Sequence, residues 1–179
     1  AISFNQPIGN WDVYNVKTMK GMFSDVTSIG IVAFVGTLEY NRAGFTSFNQ
    51  DIGNWDVSNV KNMSEMFSGA TSFNQDISSW DVSNVESMQW MFSGGIRDAV
   101  AQTIANNPTS FNQDIGNWDV SNVNNMQGMF CGATAFDRDI SNWDVSNVNN
   151  MQGMFCDAPS FNQDISSWDV TSVGSMEGM

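Results

Sequence analysis

Residues 73–92 read F-N-Q-D-I-S-S-W-D-V-S-N-V-E-S-M-Q-W-M-F, and near copies of this stretch begin at Phe4, Phe48, Phe111, Phe136 and Phe161. Three of the five steps between copies are equal: Phe48 to Phe73, Phe111 to Phe136, and Phe136 to Phe161. The equal step defines a 25-residue unit, present six times. The steps from Phe4 and from Phe73 are longer and carry additions of 19 and 13 residues. All 12 methionines fall in M-x-x-M pairs. Six of the seven tryptophans share one position: Trp11, Trp55, Trp80, Trp118, Trp143 and Trp168. A unit this short cannot bury its own apolar face, so neighbouring units must stack over a shared core.

Spacing within the unit predicts its local structure. In Ile77-x-x-Trp80-x-Val82 the apolar residues flank an outward Asp81, which predicts a short parallel strand. Val85, Met88, Met91 and Phe92 then fall at i, i+3, i+6 and i+7, the spacing of a helical face. Ser83 and Glu86 form a capping-box pattern, and Gly69, Gly94 and Gly132 follow the Met-Phe as helix-terminating glycines would. The expected fold class is α/β: a solenoid of about six 25-residue coils, each a short strand plus an α- or 3₁₀-helical turn. It forms a single unit over residues 1–179, with insertions at about 29–47 and 95–108.

Ile-x-x-Trp-x-Val resembles the L-x-x-L-x-L core of leucine-rich repeats. The whole unit is similar to the repeat of the BspA-like leucine-rich-repeat family, a roughly 26-residue unit of bacterial surface proteins and lipoproteins. The chain departs from that pattern at Pro7, at Asp137-Arg138 and in both insertions. The resemblance implies a cell-surface or secreted protein of structural or adhesive role, and it implies no reaction.

Composition narrows the function classes. Nineteen acidic and six basic residues give a formal charge of −13, which argues against nucleic acid or an anionic bilayer as partner. No apolar run approaches the roughly 20 residues of a membrane helix. Histidine is absent, which excludes Ser-His and Cys-His nucleophiles and His-ligated metals.

The repeated polar positions are the candidate site. Aspartate forms two columns: Asp12, Asp56, Asp81, Asp119, Asp144 and Asp169 outward on the strand, and Asp51, Asp76, Asp114, Asp139 and Asp164 before the Ile. Like charges about 5 Å apart repel by roughly 0.8 kcal/mol in bulk water, so something must offset them. Turn amides and Ser or Asn donors would do so, with no cofactor expected and bound calcium as the alternative. The first column is the candidate binding face for a cation or glycan. A glycosidase pair is not expected, because two catalytic carboxylates need different environments and these recur almost identically. The Trp and Met columns read as core, and the Asn5, Asn49, Asn74, Asn112 and Asn162 column as a structural ladder.

Cys131 and Cys156 occupy equivalent positions in consecutive units, about one coil spacing from each other. They are the candidate disulfide and point to an oxidising compartment, with two free buried thiols as the alternative. Asn62-Met63-Ser64 is a lone glycosylation sequon. The first insertion predicts a strand or hairpin and the second a short amphipathic helix, and both are places to look for partner specificity. Neither end of the sequence carries a capping repeat. A longer array or a subunit stacked end to end in a fibre is therefore expected.

These readings converge on a non-enzymatic extracellular or cell-surface repeat protein, structural or adhesive, with protein partners or self-association. The alternative is a calcium- or glycan-binding module built on the outward Asp column.

Overall fold

The computed structural model describes residues 4–24, 46–94 and 108–179. Over those residues the chain winds as coils laid one on another, and each coil is a succession of β-turns. In the second coil the i+3 N–H donates to the i carbonyl at Ile52–Trp55, Val57–Val60, Met63–Met66, Phe67–Ala70 and Ala70–Phe73, with N···O distances of 2.8–3.2 Å. The first and last residues of each turn are apolar and buried, while the two between are polar or glycine. An apolar residue every third position is thus the chord of a turn, with both ends pointing into the core.

The expected α/β architecture of leucine-rich-repeat type is corrected by this arrangement. Among the described residues there is no helix and no sheet. Strand-like pairing is confined to one residue per coil, a chain of parallel bridges through Thr18, Asn62, Ser87, Asn125, Asn150 and Ser175. Backbone handedness supplies the reason. The third residue of every M-x-x-M is left-handed: Gly21, Glu65, Trp90, Gly128, Gly153 and Gly178 have φ between 57° and 66°. An α-helix needs φ near −63° throughout, so one such residue forbids it. With the Met91 N–H on the Met88 carbonyl at 3.1 Å, the pair closes a turn whose third residue has positive φ, as type II turns do.

The expected strand fails for a related reason. Turns close at Ile77–Trp80 and Val82–Val85, so the backbone bends on both sides of Asp81. Ser83 does not cap a helix, because its hydroxyl and amide both bond to Asp81. Gly69 and Gly132, each at φ 75°, are third residues of the Phe67–Ala70 and Phe130–Ala133 turns.

Coils are joined by backbone bonds in both directions, in the same pattern at each level: Met88 N–H to the Asn125 carbonyl (3.0 Å) and Phe92 N–H to the Met129 carbonyl (2.9 Å) reach forward, and Glu86 N–H to the Lys61 carbonyl (2.8 Å) reaches back. Successive bridge partners are separated by the same intervals as successive sequence copies. Neither addition therefore shifts the register. Both fall at the same corner. There Phe23–Phe48 and Phe92–Phe111 stack at 4.0 and 3.9 Å, as the uninterrupted Phe67–Phe73 does at 3.9 Å. Apart from residues 46–47 and 108, the two expected insertion elements lie outside the described residues.

The core is a set of vertical side-chain columns. Phe67, Phe92 and Phe130 follow one another at 5.6 and 5.8 Å, stacked with their rings nearly parallel. Inner tryptophans are only 3–4 % exposed, and their indole N–H groups are not left unpaired. Each donates to the Ile carbonyl of the coil before it: Trp80 to Ile52 at 3.1 Å, Trp118 to Ile77 at 3.2 Å, Trp143 to Ile115 at 3.0 Å. One residue type thus fills the core and stitches two coils together.

Candidate functional site

The first aspartate column sits on turns, not on a strand as expected, and every member is solvent-exposed. Each Oδ1 accepts the backbone N–H two residues on: Tyr14 for Asp12, Ser58 for Asp56, Ser83 for Asp81, Ser121 for Asp119, Ser146 for Asp144 and Thr171 for Asp169, at 3.0–3.1 Å. From the second coil on, the Ser or Thr hydroxyl donates to the same oxygen at 2.6–2.7 Å. The carboxylate thereby caps the start of the Val–Val turn. The second column does the same for the Ile–Trp turn, where the Gly53, Ser78, Gly116, Ser141 and Ser166 amides donate to Asp51, Asp76, Asp114, Asp139 and Asp164.

These bonds answer the charge problem raised by the sequence. The Ser58 hydroxyl, and then its amide, hold the Asp56 carboxyl below its ordinary value. Ser146 does the same for Asp144 against the like charge of Asp169, and Ser141 for Asp139 against that of Asp164. At these carboxyls hydrogen bonding within the coil outweighs both burial and the charge of the neighbouring coil. Among the described residues no three His, Cys, Asp or Glu side chains converge as a metal site would require.

The asparagine column is a ladder of a definite kind. Each Oδ1 accepts the backbone N–H of its equivalent in the next coil: Asn49 to Asn5 (3.0 Å), Asn74 to Asn49 (2.9 Å), Asn112 to Asn74 (2.9 Å). Asp137-Arg138, the departure from the repeat, keeps this geometry. Asp137 accepts from the Asn162 amide at 3.0 Å, and the Arg138 Nε replaces the Gln amide by donating to the Asn112 carbonyl at 2.7 Å.

Two further ladders were not anticipated from the sequence. The Asn of each S-N-V donates Nδ2 to the preceding coil, as Asn84 does to the Ser58 carbonyl at 2.8 Å. Gln89, Gln127 and Gln152 pass amide bonds along the stack at 2.9 and 3.1 Å. Recurrence of Asn and Gln at fixed positions was the available signal, but residue type alone does not say which backbone a side chain reaches.

Cys131 and Cys156 form a disulfide, with Cα atoms 4.5 Å apart. Earlier in the stack the same column holds Ser68 and Ser93, whose hydroxyls hydrogen-bond at 2.7 Å. A covalent link thus stands where a hydroxyl pair joins the coils above. The sequon residue Asn62 lies within the bridge column, and its Oδ1 accepts the Ser64 amide at 2.9 Å.

No helix among the described residues is long and apolar enough to cross a membrane. One family's sequence model matches the chain in three stretches that together span it, residues 1–33, 32–99 and 99–179. That family is described as Mycoplasma protein of unknown function, DUF285. The match replaces the BspA-like leucine-rich-repeat assignment drawn from the sequence. No curated protein and no solved structure matches the chain.

Proposed function

We propose that the chain, which belongs to that family, is a non-enzymatic repeat protein of the cell exterior whose role is structural or adhesive. One observation carries this reading: the repeated polar side chains are committed to the scaffold. Both aspartate columns cap turns, and the Asn, Gln and Trp columns bond coil to coil. Every aspartate that is shifted is shifted downward, whereas a general acid needs a raised value. The disulfide supports an oxidising location.

Thiol trapping in the cells that make the protein tests the location, together with protease treatment of intact cells. Cys131 and Cys156 are expected to be protected from alkylation until reduction, and the chain to be cleaved from outside. Free thiols in a protease-inaccessible protein would overturn the proposal. For the adhesive role, purified chain is passed over immobilised matrix protein and mucin-type glycoprotein, and saturable binding is expected.

A further inference from the structure

We infer that the turn carrying Trp90 binds a neutral glycan, whose sugar ring stacks on the open side of the indole while its hydroxyls meet the Gln89 and Gln127 amides. The inference gives the adhesive role proposed above a site and a ligand class, and it rests on that reading. The repeated side chains are committed to the scaffold, so a ligand site belongs where the repeat is broken. Trp90 is such a break. It is the one tryptophan of the seven outside the core column, and it stands at the third position of M-x-x-M, where four of the six pairs carry glycine. A side chain is disfavoured there, at φ 57°. Residues held in such backbone conformations concentrate at functional sites. Nor does the ring serve the core, since Trp90 is only half-buried.

The surroundings supply what a sugar needs. The six-membered ring of the indole rests on Gly128 of the next coil, which has no side chain to displace it. Every column indole from Trp55 to Trp168 donates its N–H to an Ile carbonyl, but the Trp90 indole N–H meets no described residue. Gln89 precedes Trp90 and Gln127 precedes Gly128, so the amide row crosses the same two turns as the ring. Gln89 donates to Gln127 at 2.9 Å, and Gln127 to Gln152 at 3.1 Å. That row takes one hydrogen of each amide nitrogen and leaves the other, and the Gln89 Oε1 accepts from no described residue. An apolar C–H face edged by hydroxyls, as in a pyranose, matches an aromatic ring beside free amide groups. Charge selects the neutral class. The chain's −13 repels sialylated or sulfated glycans, and Glu65, the equivalent residue one coil earlier, is already paired with Lys20 at 3.5 Å.

An array of neutral and sialylated oligosaccharides tests this, with calorimetric titration of the neutral glycan bound best. Neutral glycans are expected to bind in preference to sialylated ones. Trp90→Gly restores the residue that four units carry, so it is expected to fold and to weaken binding at least about tenfold. Gln89→Ala is expected to weaken it less. An array with no neutral glycan bound overturns the inference, as does a preference for sialylated ones or equal binding by the wild type and Trp90→Gly. Pairing of two chains through Trp90 in place of glycan binding, read by sedimentation velocity, overturns it too. Binding to mucin that Trp90→Gly leaves intact sinks this site and spares the adhesive role. A chain that binds a neutral glycan through Trp90 yet fails on matrix protein and mucin upholds the site and sinks the adhesive reading.

Discussion

The indole of Trp90 lies directly over the α-carbon of Gly128 in the next coil, where a methyl group would overlap the ring. Both residues occupy the left-handed third position of M-x-x-M, Trp90 at φ 57° and Gly128 at φ 59°. Gly128 is therefore required twice, for its backbone and for the space above it. Gly128→Ala is expected to cost roughly 2–3 kcal/mol, read as a lowered melting temperature. In a Trp90→Gly background the same substitution should cost distinctly less, since only the backbone penalty remains. Equal costs in the two backgrounds would mean the ring does not press on this site.

The disulfide closes a 25-residue loop and should contribute about 3 kcal/mol by restricting the unfolded chain. Reductant is expected to lower the melting temperature. Replacing both cysteines by serine should recover part of the loss, because Ser68 and Ser93 show that this column accepts a hydroxyl pair.

Acid should loosen the stack. Asp56, Asp76, Asp137, Asp139, Asp144, Asp164 and Asp169 all titrate below their ordinary value in the folded state. A depressed folded value means the stabilisation is complete above the unfolded carboxyl range and disappears as pH falls through the folded one. Melting temperature is expected to hold level down to about pH 4–5 and then drop. A profile that stays flat to about pH 2 would show that the turn caps contribute nothing.

Chelation at fixed ionic strength is expected to leave the melting temperature unchanged, since the aspartates are satisfied by their own turns. A fall of several degrees that calcium alone reverses would restore a cation to the columns.

The asparagine ladder should tolerate an acceptor and nothing else. Asn74 Oδ1 takes bonds from both the Asn112 amide and the Gln113 side chain. Asn74→Leu strands the Asn112 amide and should cost about 1–3 kcal/mol by thermal or denaturant melting. Asn74→Asp keeps the acceptor, as Asp137 does naturally, and should cost far less.

Much of this molecule was legible in its residues because repetition reports packing directly. Equal side chains one unit apart had to lie over one another, and they do, through both additions and without loss of register. The Met and Phe positions were rightly placed in the core for the wrong local reason. Apolar residues at i and i+3 suit a helical face and a β-turn chord alike. Glycine at position three of four M-x-x-M pairs was the discriminating clue, but Glu65 and Trp90 occupy that position in the other two and obscure it.

What the sequence settled alone was the unit, its register and which columns are buried, since these follow from periodicity and the exclusion of apolar surface from water. Tertiary structure decided the rest. Whether each three-residue step closes as a turn, and where each polar side chain spends its hydrogen bonds, depends on the coil lying above or below. Only there does the Trp80 indole meet the Ile52 carbonyl and the Asn74 oxygen meet the Asn112 amide.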